Sequence, residues 1–254
     1  QPRVANPGAA TVHGTWIGLP GSNALAKHLA LRVEVETSAR VVALERRRGW
    51  WLEVERVGTH ALAGPFELVV ITAPTPQAIA LLATTPGAAL VATLSEATFV
   101  PCLVAMIAID ASDAIDASCA IDELRDSSGL LASAHRLDGR PGRTPSTGVE
   151  LWVAHGSEAW SAARLEDDAQ DAARELAAAM TKLVAGRVIH LRGHRWRYAR
   201  AATRIAAPCA YDDALRLGVA GDGFAAGTSA PAASRALLSG LALAARIIAV
   251  NQDV

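Results

Sequence analysis

The end of the chain carries the pattern that most restricts its fold. An apolar segment, LRLGVAGD (215–222), leads through a glycine-rich loop into an apolar stretch at 231–250 that begins with proline. The segment has the pattern of a buried strand, and proline favours the first turn of a helix. A strand, a loop and a helix in this order direct free backbone N–H groups and the positive end of the helix dipole at one point. We therefore expect a ligand with an anionic or electron-rich group at Gly221, Asp222 and Gly223.

The rest of the sequence predicts a mixed α/β fold. Short segments that alternate apolar and polar residues predict a β-meander, and two unbroken apolar runs are typical of strands buried on both faces. The predicted meander strands are 31–36, 40–46 and 50–57, and the buried strands are FELVVITAP (66–74) and FVPCLVAMIAID (99–110). Residues 112–146 are rich in turn residues and are expected to form a loop.

A helix and a long strand are predicted in the second half. Asp168 and Asp171 have the spacing of a capping box, and the apolar residues that follow recur at helical spacing. If RVIHLRGHRWRYAR (187–200) is a strand, its period of two places His194 and Trp196 on one polar and aromatic face. That face is either a ligand-contacting surface or a partly buried polar patch on the sheet.

The composition argues against several classes of function. A formal net charge of −1 over 254 residues gives no electrostatic basis for binding nucleic acid or an anionic membrane. The three cysteines are widely spaced and no H-E-x-x-H motif occurs, so neither a disulfide framework nor a metal site is expected. Because Arg235 and Arg246 interrupt the apolar C-terminal helix, we expect no membrane span. The cysteine pattern favours a reducing, cytoplasmic compartment, and we expect a small-molecule substrate as the partner.

The glycine-rich loop also allows other interpretations. Gly221, Gly223 and Gly227 approach the G-x-G-x-x-G pattern of dinucleotide-binding loops, which would indicate a nicotinamide-dependent dehydrogenase. Such a loop opens a βαβ unit, whereas here no second strand is predicted after the helix. The simplest alternative is that the glycines form a tight turn and that Asp222 caps a helix.

Several segments, taken in order, resemble one family. They are GTWIGLPGSNALAKHLA, RVVALERRRGWWLEV, FELVVITAPTPQAIALL, LWVAHGSEAWSAARLEDD, HRWRYA and LGVAGDGFA…LLSGLALAARI. From about residue 14 onward the chain resembles the renalase-like branch of the FAD-dependent amine oxidase superfamily, and HRWRYA with GD…LSG is the most specific part. The resemblance implies an FAD/NAD(P)-binding, Rossmann-like domain with a β-meander and, beside it, a mixed-sheet substrate domain. It places the FAD domain at 31–83 and 206–254, and the substrate domain at 10–30 and 84–205.

The same resemblance implies roles for individual residues. Asp222 would bond the ribityl or pyrophosphate part of FAD, and the helix that follows would stabilise negative charge on the reduced flavin. The implied cofactor-binding residues are Val41, Pro74, Gly221, Asp222, Gly223, Ser229 and Ala232. The implied catalytic residues are His194 and Trp196, and the implied substrate-side residues are Trp16 and Gly21.

The sequence departs from the family at the ADP-binding element. Members of the family begin with a strand and a G-x-G-x-x-G turn, and the present 254 residues contain no such unit. Two functions therefore stay open. One is a renalase-like or amine-oxidase-type oxidoreductase that passes a hydride from a reduced nicotinamide-like or amine substrate to FAD, with O2 as reoxidant, once the ADP-binding unit is supplied. The other is a degenerate, non-catalytic homologue that no longer binds FAD.

Overall fold

The computed structural model describes residues 18–112, 123–125, 129–140, 142, 147–225 and 229–252. The helices in this part of the chain are α1 (Ala24–Ala30), α2 (Thr75–Leu82), α3 (Ala89–Leu94), α4 (Glu158–Ala163), α5 (Ala169–Met180) and α6 (Ala232–Gln252). The strands are β1 (Arg40–Arg46), β2 (Trp50–Arg56), β3 (Thr59–Phe66), β4 (Val69–Ile71), β5 (Thr98–Asp110), β6 (Glu123–Leu124), β7 (Leu131–Arg136), β8 (Val149–Gly156), β9 (Arg187–Thr203), β10 (Ala210–Asp212) and β11 (Leu217–Val219).

The chain divides into two compact units. The first unit comprises Gln1–Val35 and Pro101–Ala199, and the second comprises Glu36–Val100 and Arg200–Val254. Each unit is built around sheets with its own hydrophobic core. The mixed α/β class expected from the sequence is confirmed.

The first unit is a five-stranded sheet with strand order β6-β7-β8-β5-β9, and α5 packs on it. Helix α5 begins where predicted because the Asp168 carboxylate accepts hydrogen bonds from the backbone N–H groups of Gln170, at 2.8 Å, and Asp171, at 3.1 Å. The apolar residues of α5 recur three and four residues apart on one face. Among them, Leu176 and Met180 are fully buried in the core of this unit.

The second unit combines the antiparallel meander β1-β2-β3 with a small sheet of strand order β10-β11-β4. Strands β4 and β11 are parallel, with Val70 opposite Gly218, as expected of the LVVI run. Trp50 is fully buried in the core and donates its indole N–H to the carbonyl oxygen of Leu215 at 2.8 Å. That bond ties the meander to the segment that leads into β11.

Two sequence predictions are wrong. Residues 31–36 form no strand, and Leu31, Val33 and Val35 are 77%, 64% and 61% exposed. The third strand of the meander is instead β3, which was not predicted. The predicted loop at 112–146 contains β6 and β7, which pair with each other. Alternation alone does not make a strand, because a strand also needs a partner for its backbone and an apolar surface for its side chains.

Helix α6 is unusually apolar for its exposure. Leu237, Leu241 and Ile248 are 45%, 58% and 57% exposed, whereas Leu243 is buried. By length and composition alone the stretch Ala232–Val250 is apolar enough to cross a membrane, with a mean hydropathy of 1.6 and 17% of the window buried. Core helices of soluble proteins meet the same criterion. The expectation of no membrane span stays a prediction.

Candidate functional site

The glycine-rich loop lies at the carboxyl ends of two parallel strands. Because β4 and β11 run in the same direction, their carboxyl ends meet at one edge, where ligands of open α/β sheets bind. The backbone N–H of Gly221 donates to the Ser239 hydroxyl at 3.1 Å, and the carbonyl oxygen of Gly223 accepts from the Ile205 N–H at 2.9 Å. The loop is therefore fixed on both sides of Asp222.

Asp222 is half-buried, and its carboxylate has no hydrogen bond or ion pair with another residue in the described part of the chain. Asp222 does not cap α6, because that helix begins only at Ala232. The alternative in which Asp222 is a helix-capping residue therefore does not hold for α6. A carboxylate held at a strand end without a partner can accept hydrogen bonds from hydroxyl or amide groups of a ligand.

The surroundings of the loop leave room and polar groups for a ligand. A Cβ built on Gly221 would have only the Thr72 carbonyl oxygen nearby, at 4.0 Å, so the backbone there is open to close approach. In contrast, a Cβ on Gly223 would lie 3.1 Å from Thr75 Cγ2. The buried hydroxyl of Thr75 and the buried Nε of Arg235 have no hydrogen-bond partner among the described residues. Since buried polar groups are normally paired, these residues fit a site that receives a polar ligand such as part of FAD.

The structure describes the other predicted cofactor residues of the second unit, and Val41 and Pro74 lie close to the carboxyl end of β4. Val41 lines a groove of about 470 Å³ together with the end of β4 and one face of α2. Pro74 precedes the first residue of α2. Ser229 and Ala232 are exposed, and Ala232 is the first residue of α6. Gly227, needed for the dinucleotide interpretation, lies outside the described residues.

In the first unit, His194 and Trp196 are neighbours on β9. Their rings meet edge-to-face with centroids 4.5 Å apart, and Trp196 is 55% exposed. Arg195 and Arg197 point differently, toward the carbonyl oxygen of Leu165 and the carboxylate of Glu166. The predicted alternation along β9 is therefore confirmed, whereas catalytic roles for His194 and Trp196 stay a prediction.

Of the two predicted substrate-side residues, Gly21 lies just before α1, and Trp16 falls outside the described residues.

Two histidines on β9, His190 and His194, are four residues apart in the sequence. This spacing would bring two imidazoles together on a helix, but along a strand it separates the residues by about 13 Å. No group of three or more possible metal ligands occurs among the described residues.

A histidine pair in the first unit was not predicted from the sequence. The imidazole rings of His135 on β7 and His155 on β8 lie edge-to-face, with centroids 5.6 Å apart. His135 Nε2 is 3.2 Å from the Ser133 hydroxyl, and the Nδ1 atom of His155 is buried without a partner in the described part of the chain. Because β5, β7 and β8 are adjacent, this pair shares a sheet face with Val104 and Val153.

Both imidazoles are held toward the neutral form. Burial lowers the pKa of His135 below its ordinary value of 6.5; the charge of Glu123 raises that pKa, and those of Arg140 and Arg125 lower it. Burial also lowers the pKa of His155, as does the nearby His135, while a backbone hydrogen bond to Ser133 raises it. Neutral imidazoles can accept hydrogen bonds as well as donate them.

These shifts predict a dependence of stability on pH. Since each pKa is lower in the folded chain than in the unfolded one, the unfolded state takes up protons first as the pH falls below about 6.5. We expect the free energy of unfolding to decrease from pH 7.5 to about 5. Urea titrations across this range should show that His155→Gln flattens the decrease, whereas His60→Gln, at an exposed position on β3, does not. An unchanged slope in His155→Gln would show that this imidazole is not desolvated.

No family model matches the sequence. Solved structures do share its fold. The chain superposes on a protein described as a protoporphyrinogen oxidase from Exiguobacterium sp. 255-15 with a TM-score of 0.59, 15% identity, and coverage of 87% of this chain and 50% of that one. An oxidoreductase from Methanosarcina mazei gives a TM-score of 0.53, 13% identity, and coverage of 81% and 48%. Reduced UDP-galactopyranose mutase gives 0.52, 8% identity, and coverage of 71% and 39%.

The chain has the fold of part of these enzymes. It spans half or less of the length of each of them. The Rossmann-like α/β class expected from the sequence is therefore confirmed, whereas identities of 15% or less say nothing of substrate or activity. Nothing in these similarities distinguishes a renalase-like protein from other enzymes of this fold.

Proposed function

We propose that this chain provides one side of the cofactor site, and the substrate-contacting sheet, of an FAD-dependent oxidoreductase. The observation that carries the proposal is the loop Gly221–Gly223, which is fixed at the carboxyl ends of parallel β4 and β11 and presents the Asp222 carboxylate, unpaired within the described residues. The shared fold with an oxidase and an oxidoreductase supports it.

In this proposal the residues of the second unit hold and polarise the cofactor. Asp222 accepts hydrogen bonds from the ribityl hydroxyls, or contacts the pyrophosphate part through its loop, while Gly221 lets the ligand approach the backbone. The N-terminal end of α6, with Ser229 and Ala232, would stabilise the negative charge that the cofactor gains on reduction, because a helix N-terminus stabilises anions. Val41 and Pro74 contact the cofactor along the groove beside β4.

FAD, when bound, supplies the acceptor for a hydride from a reduced nicotinamide-like or amine substrate, and O2 reoxidises it. His194 and Trp196 then orient the substrate and exclude water through the exposed indole ring of Trp196. Gly21 and Trp16 complete the substrate side. Because the 254 residues contain no G-x-G-x-x-G turn, activity requires that an ADP-binding unit be supplied from outside them.

The proposal also includes a small-molecule substrate and a cytoplasmic location, which the near-neutral net charge and the widely spaced cysteines support. The alternative of a non-catalytic homologue is supported by the lack of the ADP-binding turn and by the loop AAGTSAPAASRA after Asp222, which departs from the family's pattern. The open loop at Gly221 and the carboxylate of Asp222 favour a retained ligand site.

Calorimetric titration with FAD tests the proposal. We expect Asp222→Asn to weaken FAD binding about tenfold or more, because hydrogen bonds to a charged acceptor contribute about 1.5–3 kcal/mol. Asp213→Asn is the matched control, since Asp213 lies near the same strand but pairs with Arg246 at 3.5 Å. A folded chain to which FAD binds neither by itself nor when an ADP-binding unit is supplied would instead support the non-catalytic alternative.

A further inference from the structure

His135 and His155 place two imidazoles on one face of the sheet of the first unit. His155 lies directly opposite Ser133 in the pairing of β7 with β8, and His135 follows Ser133 by two residues. Since side chains alternate along a strand, all three project from the same face. The intervening residues Ala134 and Ala154 are fully buried in the core of the unit. The two rings therefore meet on the sheet face opposite that core.

The separation of the two rings suits the coordination of one metal ion. Their centroids are 5.6 Å apart and the rings lie edge-to-face. A metal ion bound at about 2.0–2.1 Å to one nitrogen of each imidazole holds the ring centres about 5–6 Å apart. The Nδ1 atom of His155 is buried without a hydrogen-bond partner in the described part of the chain, although buried polar atoms are normally paired. A metal ion between the rings would give this nitrogen its partner.

Ser133 contacts both imidazoles and fixes their positions. Its hydroxyl lies 3.2 Å from His135 Nε2, and its backbone forms a hydrogen bond with His155. These contacts leave the Nδ1 atom of each ring without a partner among the described residues. Metal-binding histidines commonly make a hydrogen bond through their second nitrogen, which sets the orientation and tautomer of the ring. Ser133 therefore preorganises the pair for a ligand.

The groups around the pair discriminate between kinds of cation. Glu123 lies opposite His135 on β6, and the positive charges of Arg125 and Arg140 act on the same imidazole against that of Glu123. Ca²⁺ and Mg²⁺ bind through sets of carboxylate, carbonyl and water oxygens, which a pair of imidazoles does not provide. Imidazole nitrogen suits Cu²⁺, Ni²⁺ and Zn²⁺, and the affinity of such sites is generally highest for Cu²⁺. The pair therefore favours a late transition metal.

We propose that His135 and His155 bind one divalent late first-row transition-metal ion, Cu²⁺ or Zn²⁺, between β7 and β8. Solvent fills the remaining positions, since no third metal-binding side chain is grouped with the pair in the part of the chain that the structure describes. The bound ion joins two neighbouring strands and so stabilises the folded first unit. This site does not depend on the flavin site proposed in the second unit.

Calorimetry and thermal unfolding of the chelator-treated chain with CuCl2, ZnCl2 and MgCl2 test the site. We expect one equivalent of Cu²⁺ to bind more tightly than Zn²⁺ and to raise the Tm, and Mg²⁺ to do neither. His135→Gln and His155→Gln should each weaken Cu²⁺ binding by at least about a hundredfold, because the loss of an outer hydrogen bond alone costs about 10–100-fold. His60→Gln is the matched control, since His60 is an exposed imidazole on β3 beside Glu53, and it should bind like the wild type.

EPR spectra of the Cu²⁺ complex count the nitrogen ligands directly. We expect hyperfine splitting from two nitrogens in the wild type and from one in either glutamine variant. Ser133→Ala should keep both nitrogen ligands and weaken Cu²⁺ binding about tenfold, as loss of a hydrogen bond to a ligand does.

Three results would overturn the site. The first is a wild-type chain that binds no equivalent of Cu²⁺ or Zn²⁺, and the second is unchanged affinity in both glutamine variants. The third comes from the wild type alone and applies even if the variants do not fold. In NMR spectra, substoichiometric Cu²⁺ should broaden the imidazole signals of His135 and His155 first; equal broadening of all histidine signals would mean that the metal binds elsewhere. None of these results bears on FAD binding in the second unit.

Discussion

A Gly193→Ala substitution is expected to lower the free energy of unfolding by at least about 3 kcal/mol. A Cβ built on Gly193 would overlap the carbonyl group of Ala169 and lie 2.9 Å from the backbone nitrogen of Gln170. Both are backbone groups at the start of α5, so no side-chain rotation relieves the overlap. The amide side chain of Gln170 accepts from the Gly193 N–H at 2.9 Å and donates to the Leu191 carbonyl at 3.1 Å, which fixes β9 against the helix.

Urea unfolding measures this effect, and Gly240→Ala is the control. A Cβ on Gly240 would have no neighbour within 4 Å, so alanine there should be neutral or stabilising by up to about 1 kcal/mol, as expected in a helix. A Gly193→Ala chain of wild-type stability would mean that β9 and α5 are not in contact. Since His194 follows directly in sequence, the variant should also shift the His194 imidazole signals in NMR spectra.

The second large effect is expected at a buried ion-pair network in the first unit. The Arg136 guanidinium binds the carboxylates of Asp138 at 2.9 Å and Glu150 at 3.0 Å. Glu150 also accepts from the Trp152 indole at 2.9 Å, and Asp138 from the Leu151 N–H at 2.7 Å. Replacing Arg136 by Met leaves two carboxylates buried without this cation. We expect a loss of about 3–5 kcal/mol in the free energy of unfolding.

Arg125→Met provides the matched control for this network. Arg125 pairs with Glu123 at 2.8 Å on the neighbouring strand β6, but its side chain is 65% exposed, so the loss should stay below about 1 kcal/mol. The comparison is made by guanidinium unfolding at pH 7. Equal losses in the two variants would contradict the assignment of a desolvated network to Arg136.

Patterns of local sequence predicted the elements around the candidate site. The LVVI run predicted a buried parallel strand, and β4 pairs in parallel with β11. Asp168 and Asp171 predicted the start of α5, where Asp168 is the N-cap. Both predictions rest on interactions within a few residues, or on an apolar run long enough to need two covered faces.

The contacts that give the site its chemistry were not predictable in this way. Arg235 was counted only as a charge that interrupts an apolar helix, because its burial depends on tertiary packing that the helical pattern does not reveal. His135 and His155 are twenty residues apart in the sequence and become neighbours only when β7 pairs with β8. The requirement for glycine at 193 comes from α5, which the local pattern of β9 does not reveal.

Strand β4 has one neighbour in the described part of the chain, β11, and Val70 at its centre is 42% exposed. Its other side presents backbone donors and acceptors flanked by the apolar groove that Val41 lines. An edge of this kind is a template onto which another extended segment can be added. While this edge is uncovered, we expect the purified chain to self-associate at high concentration. An added segment that pairs with β4 should keep the chain monomeric for longer in storage.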